Sequence, residues 1–195
     1  IEELHDAFYR ELSFGTAGLR GIIGLGPNRM NAYTVAKATQ GLADYLNAHY
    51  ESPSVAIARD SRNRGEEFVR AAAGVLAANG VVAHVYRAIQ PTPVLSFTVR
   101  ELGCSAGINV TASHNPAAYN GYKVYGDDGC QIASQAAVEI QEGIDGLDFF
   151  NDVKRMDFEE ALAAGLVQWV DDAVVDRFLD EVAAQSVKPE DARAT

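Results

Sequence analysis

Ser113 lies in the run Thr111-Ala112-Ser113-His114-Asn115-Pro116, where hydroxyl and imidazole side chains are followed at once by turn-forming residues. Asn115-Pro116 bends the chain and Asn120-Gly121 bends it again, so the Ser113 hydroxyl is presented on a tight loop that a substrate can reach. The same pattern suits turn hydroxyls that merely bond neighbouring backbone groups, so both readings stand at this level. Gly15, Gly18, Gly21 and Gly24 recur every third residue around Thr16 and Arg20. Such a loop lets backbone amides approach an anion, and Arg20 adds a fork for phosphate oxygens. The stretch lacks the Gly-Lys-Ser/Thr ending of a P-loop, and no strand precedes it as the dinucleotide fingerprint requires. In Arg59-Asp60-Ser61-Arg62, Asp60 reads as the acceptor of a turn or a helix cap. Lys123, a cation among Tyr and Val, either snorkels to water or faces the site.

The elements that must position these residues follow from apolar period and breakers. Leu4 to Leu12 reads as a short amphipathic helix, and Asn31 to Tyr50 as a longer one with Val35, Ala38, Leu42, Tyr45 and Leu46 on one stripe. Val55 to Ala58 is a short apolar run, Glu66 to Ala78 is helical in period, and Gly80 is placed to end that helix. Val81 to Tyr86 reads as a strand, Val94 to Leu102 as a helix after Pro91 and Pro93, and Cys104 to Val110 as a strand. This alternation predicts a three-layer α/β/α sandwich with a mixed, mainly parallel sheet. Ser113 then projects from the carboxyl end of a strand, the rim where open α/β sheets bind ligands. Tyr122 to Tyr125 and Cys130 to Ile132, joined by Gly126-Asp127-Asp128-Gly129, read as the hairpin that makes the sheet mixed. Ala133 to Ile144 is expected to be helical, Leu166 to Val170 a short strand, and Asp172 to Gln185 a helix with Val174, Val175, Phe178, Leu179 and Val182 inward.

The 195 residues, 48% of them hydrophobic, suffice for one sizeable core. No apolar stretch is long enough for a bilayer span or a signal-peptide core, so a cytoplasmic protein without a membrane partner is expected. Cys104 and Cys130 are too few for a disulfide framework and lack zinc-site spacing, which leaves two reduced thiols. The net charge of −11 speaks against nucleic acid. The acid is concentrated late in the chain: residues 1–126 hold 11 Lys/Arg against 10 Asp/Glu, and residues 127–195 hold 5 against 17. An anionic small substrate can therefore still meet a locally basic surface in the first part.

Thr111-Ala112-Ser113-His114-Asn115-Pro116 with Asn120-Gly121-Tyr122-Lys123 closely resembles the active-site serine loop of the α-D-phosphohexomutases. Phe14-Gly15-Thr16-Ala17-Gly18-Leu19-Arg20-Gly21, Asn28-Arg29-Met30-Asn31 and Ala38-Thr39-Gln40-Gly41-Leu42-Ala43-Asp44-Tyr45 resemble the branch of phosphoglucomutases related to phosphopentomutase. The resemblance implies a first domain in which Ser113 carries a phosphoryl group, His114 and Lys123 assist proton transfer and hold charge, and Arg20 serves the phosphoserine site. It also implies a phosphorylated hexose as substrate, Mg2+ as cofactor with one ligand from the Ser113 phosphate, and glucose 1,6-bisphosphate as activator. Phosphoryl transfer of this kind needs positioning and charge neutralisation above all.

The same family is built of four domains, and its magnesium-binding Asp-Gly-Asp loop, sugar-selecting residues and final phosphate-binding loop lie beyond the first. Residues 1–30 are expected to form the N-terminal helix and glycine-rich active-site loop, 31–187 the α/β/α domain, and 188–195 a severed linker to a second domain. The missing Met before Ile1 fits a piece of a longer chain. The three magnesium carboxylates must then come from outside it, and the chain alone is expected to be inactive. Phosphomannomutase and phosphopentomutase remain alternatives within the class, and a non-catalytic phosphosugar-binding module outside it.

Overall fold

The structure, a computed structural model, describes residues 1–15 and 18–186. The elements are α1 (Glu2–Phe8), β1 (Gly18–Ile22), α2 (Ala32–His49), β2 (Ser54–Arg59), α3 (Gly65–Ala78), β3 (Val82–Val85), α4 (Thr92–Glu101), β4 (Ala106–Val110), β5 (Tyr119–Gly126), α5 (Ser134–Asp145), α6 (Phe158–Ala163), β6 (Val167–Trp169) and α7 (Asp172–Ala184). One six-stranded sheet runs in the order β1-β5-β4-β2-β3-β6. β4, β2, β3 and β6 are parallel neighbours, while β5 is antiparallel to both β4 and β1. The expected mixed sheet in an α/β/α sandwich is thus the observed one.

Alternation along the strands divides the core between the two faces. Val55 and Ile57 of β2 join Leu42, Phe68, Leu76, Ile140 and Phe158 under α2, α3, α5 and α6. Ala56 and Ala58 point the other way, toward Leu95, Val99 and Val174 of α4 and α7. All four of these β2 residues are buried, as strands covered on both faces should be. A fully buried side chain of the size of Phe68 or Leu76 contributes about 2 kcal/mol from burial alone.

Local chemistry sets the ends of the helices that flank the site. Asn31 caps α2, its side chain accepting from Tyr33 N and Thr34 N while Thr34 Oγ1 accepts from Asn31 N. Such a cap contributes about 1 kcal/mol. The Asn31 amide also donates to the carbonyls of Gly24 and Gly26, tying the helix to the preceding loop. Arg29 pairs with Asp6 at 2.6 Å and Asn28 Nδ2 donates to Asp6 O, so α1 is held to the same loop.

Four expectations need correction. The glycine-rich stretch is not a free loop: Gly18–Ile22 is the edge strand β1, with Gly18 paired to Lys123 and Arg20 to Gly121. Its glycines hid the strand because the ladder needs bare backbone there. A Cβ on Gly18, at φ +134°, would meet Tyr122 O at 1.9 Å. The hairpin is a stub, since residues 130–132 make only the bridge Tyr125–Gln131 and β1 takes the rest of that edge of β5. Leu179 and Val182 of α7 are more than half exposed, because α7 packs along α4 through Val174 and the Phe178–Phe97 edge contact and, among the described residues, nothing covers its remaining apolar side. The first helix ends at Phe8, short of Leu12. α6, capped by Asp157, was not anticipated. The expected linker 188–195 and Thr16 lie outside the described residues.

Candidate active site at the carboxyl end of the sheet

β4 delivers Thr111 to the rim, and the chain then turns through Ser113 to Tyr119 before returning as β5. Ser113 adopts φ +55°, a left-handed conformation that costs a residue with a Cβ about 1–3 kcal/mol and persists only where the surroundings hold it. They do so by hydrogen bonds within and beneath the loop. Thr111 Oγ1 accepts from Ser113 N at 3.0 Å and donates to Asp60 Oδ2 at 2.6 Å. Asp60 Oδ1 accepts from Arg62 N at 3.0 Å, so Asp60 is the turn acceptor and Arg64, not Asp60, occupies the cap position of α3. Thr111 N donates to Gly121 O, and a Cβ on Gly121 would meet Thr111 O at 2.6 Å; glycine there lets β5 pass close under the loop.

The result is an exposed Ser113 whose Oγ lies 3.4 Å from His114 Nδ1, a loose contact. Arg20, exposed on β1, reaches across and donates from Nη1 to Asn115 Oδ1 at 3.1 Å. Arg20 pairs with Gly121, and Gly121, Lys123 and Tyr125 alternate onto one face of β5, so Arg20 and the half-buried Lys123 share the α4 side of the sheet. Tyr122 and Val124 point to the α2 side, where burial pushes the Tyr122 hydroxyl well above its ordinary pKa and Thr39 Oγ1 donates to it at 3.1 Å. A cavity of 330 Å³ opens beside the serine, with Asp60, Ser61, Arg62 and Asn63 on one side and Ser113 and Asn115 on the other. A second cavity, of 240 Å³, lies around Tyr45, Tyr50 and Asp127, away from the serine loop.

Among the described residues of the glycine-rich stretch the amides are engaged within the fold: Gly15 N donates to Gly18 O, Gly24 N donates to Met30 O, and Gly21 lies in the β1 ladder, while the Arg20 side chain is exposed. For magnesium, the donor set offers little. Among the described residues no three His, Cys, Asp or Glu side chains gather, and both Asp60 oxygens are engaged. The described residues by themselves do not make a complete site for a hard cation. Sequence reasoning missed Asn115 as the partner of Arg20, and Arg62, whose guanidinium lies against the carbonyls of the serine loop.

Residues 11–150 match the model of the phosphoglucomutase/phosphomannomutase α/β/α domain I. The chain belongs to this family. A phosphoglucomutase of Staphylococcus saprophyticus is 40% identical over 181 residues, covering 93% of this chain and 33% of that protein. One from Staphylococcus aureus (strain USA300) is 47% identical over 135 residues, covering 69% and 24%. A Thermus thermophilus protein assigned as a phosphomannomutase superposes with a TM-score of 0.70 at 28% identity, covering 84% of this chain and 34% of that one. This phosphoglucomutase/phosphomannomutase domain I therefore spans about a third of the length of the first of these curated relatives. Among the described residues no helix is long and apolar enough to cross a membrane.

Proposed function

We propose that this domain carries a phosphoryl group on Ser113 within a phosphoglucomutase that interconverts glucose 1-phosphate and glucose 6-phosphate. The observation that carries the reading is the presentation of Ser113: an exposed hydroxyl on a held left-handed turn at the carboxyl end of β4, with Arg20 tied to the same loop. Phosphorylated Ser113 yields its phosphoryl group to a hydroxyl of the bound hexose monophosphate. The P–Oγ bond breaks, a bond from phosphorus to the sugar oxygen forms, and the hydroxyl proton passes to a base. The bisphosphate reorients, its other phosphate returns to Oγ, and the isomerised monophosphate leaves. His114 and Lys123 assist the proton transfers and hold charge, and Arg20 grips phosphate oxygens, which a guanidinium does with two parallel bonds.

About two thirds of the length of the Staphylococcus saprophyticus relative has no counterpart here. Further domains of the same enzyme supply the magnesium carboxylates and the sugar-selecting residues in this reading, and glucose 1,6-bisphosphate is the activator. The setting is cytoplasmic carbohydrate metabolism. The test converts glucose 1-phosphate to glucose 6-phosphate with magnesium and catalytic glucose 1,6-bisphosphate, using the 195-residue chain, the full-length protein and full-length Ser113→Ala. The expected result is turnover by the full-length protein alone. An active Ser113→Ala protein refutes the phosphoserine mechanism, and turnover by the 195-residue chain near the full-length rate refutes the division between domains.

A further inference from the structure

Arg62 spends its guanidinium on backbone. Nη1 donates to the carbonyls of Pro116 at 3.0 Å and Tyr119 at 2.9 Å, and Nη2 to those of Ser113 and Asn115, both at 2.7 Å. Its side chain is only 12% exposed, and Nε faces Asp60 Oδ2 at 3.5 Å. Four carbonyls spread over seven residues of loop therefore converge on one planar cation. Carbonyl oxygens gathered this way repel one another unless a cation lies between them, and a short turn has no ladder of its own to hold them. A guanidinium answers both needs, because it is a cation whose donors are fixed in a plane. Through Asp60 the same residue is joined to Thr111, which holds the amide of Ser113. The loop is thus gripped on its carbonyl side by Arg62 and at its entry by Thr111, while the Ser113 side chain stays exposed.

We propose that Arg62 is the positioning residue of the serine loop: by binding the carbonyls of Ser113, Asn115, Pro116 and Tyr119 it holds Ser113 in its left-handed turn with the hydroxyl aimed out of the loop. The proposal deepens the reading of Ser113 as phosphate carrier and rests on it. Lysine keeps the charge but is a single point of donors without the planar fork, so it cannot hold four carbonyls.

Arg62→Lys is measured in two ways. In hydrogen exchange on the 195-residue chain, peptides covering residues 111–121 exchange about tenfold faster while those of α2 and α3 keep the parent rate. In the full-length protein kcat falls about 100-fold with KM within a factor of about three, the pattern of a misplaced reacting group rather than lost binding. Methylguanidine restores part of the activity to Arg62→Ala. An equal rise in exchange throughout the chain, loss of the fold in both variants, or a parental kcat in Arg62→Lys overturns the proposal. Ser113→Ala measured alongside separates the two claims. If it is active, the phosphoserine reading falls and the positioning role with it; if it is inactive while Arg62→Lys turns over normally, the Arg62 assignment alone falls.

Discussion

The parallel strands β4, β2, β3 and β6 and the antiparallel pair β5 and β1 belong to one sheet but are held by different forces. Across the parallel part, Val55, Ala56, Ile57, Ala58, Ala83 and Ile108 are all buried, and helices cover both faces. Across the antiparallel part, β1 exposes Arg20 and Ile22, and β5 carries the half-buried Lys123 next to Gly121. Apolar burial holds the first region. In the second, Leu19, Tyr122, Val124 and Tyr125 are buried too, but close backbone contact at glycines and a web of side chain to backbone bonds join them to a rim that carries charged groups. The contrast teaches that substitutions in the parallel region should read out as stability and substitutions around β5 and the serine loop as catalysis.

The sharpest challenge to this division is Phe68→Ala, which empties a fully buried site under α3. It should cost about 3–5 kcal/mol in chemical denaturation, yet leave the kcat of the folded full-length protein near the parent value. A large kcat loss in the folded variant would break the comparison. Gly121→Ala probes the other region, because its Cβ would lie 2.6 Å from Thr111 O and 2.9 Å from Leu19 O. Overpacking there should cost about 1–3 kcal/mol, and the displaced loop should lower kcat out of proportion to stability. A variant destabilised to this degree but with parental kcat would show that the loop does not depend on the close passage of β5.

Tyr122→Phe lies on the border between the regions, as its ring is fully buried on the α2 side and its hydroxyl accepts from Thr39. Without the phenol oxygen, Thr39 Oγ1 gives its one proton to Val35 O, 2.8 Å away, so the loss should be only about 1 kcal/mol by denaturation, with kcat unaffected. The smallest effect is a pH dependence in the parallel region. Burial holds the pKa of His84 below the ordinary imidazole value of 6.5. The unfolded chain therefore takes up this proton at higher pH than the folded chain. The His84 contribution is intact above the unfolded value, is lost as pH falls through it, and levels off below the folded value. His84→Gln should narrow the fall in melting temperature between about pH 7 and pH 5 by roughly 1–2 °C. An unchanged slope would place that pH dependence elsewhere.

Sequence by itself determined the alternation of strands and helices, the helix that runs on from Asn31, and the exposed turn that bears Ser113. Each is local: apolar period, cap chemistry and turn residues act within about ten positions of one another, so they are written in neighbouring letters. The strand character of Gly18–Ile22 was not legible, because its glycines answer to the approach of Tyr122 O from a strand about a hundred residues away. Nor was the exposure of Leu179 and Val182, since an amphipathic stripe does not say how many partners it will find. Only the tertiary structure decided that Arg20 meets Asn115, 95 positions on, and that Arg62 meets the carbonyl of Ser113, 51 positions on. Those contacts exist because chain topology brings the ends of β1, β2 and β4 to one rim, and backbone carbonyls, identical in every residue, leave no mark in a sequence to announce which cation they will hold.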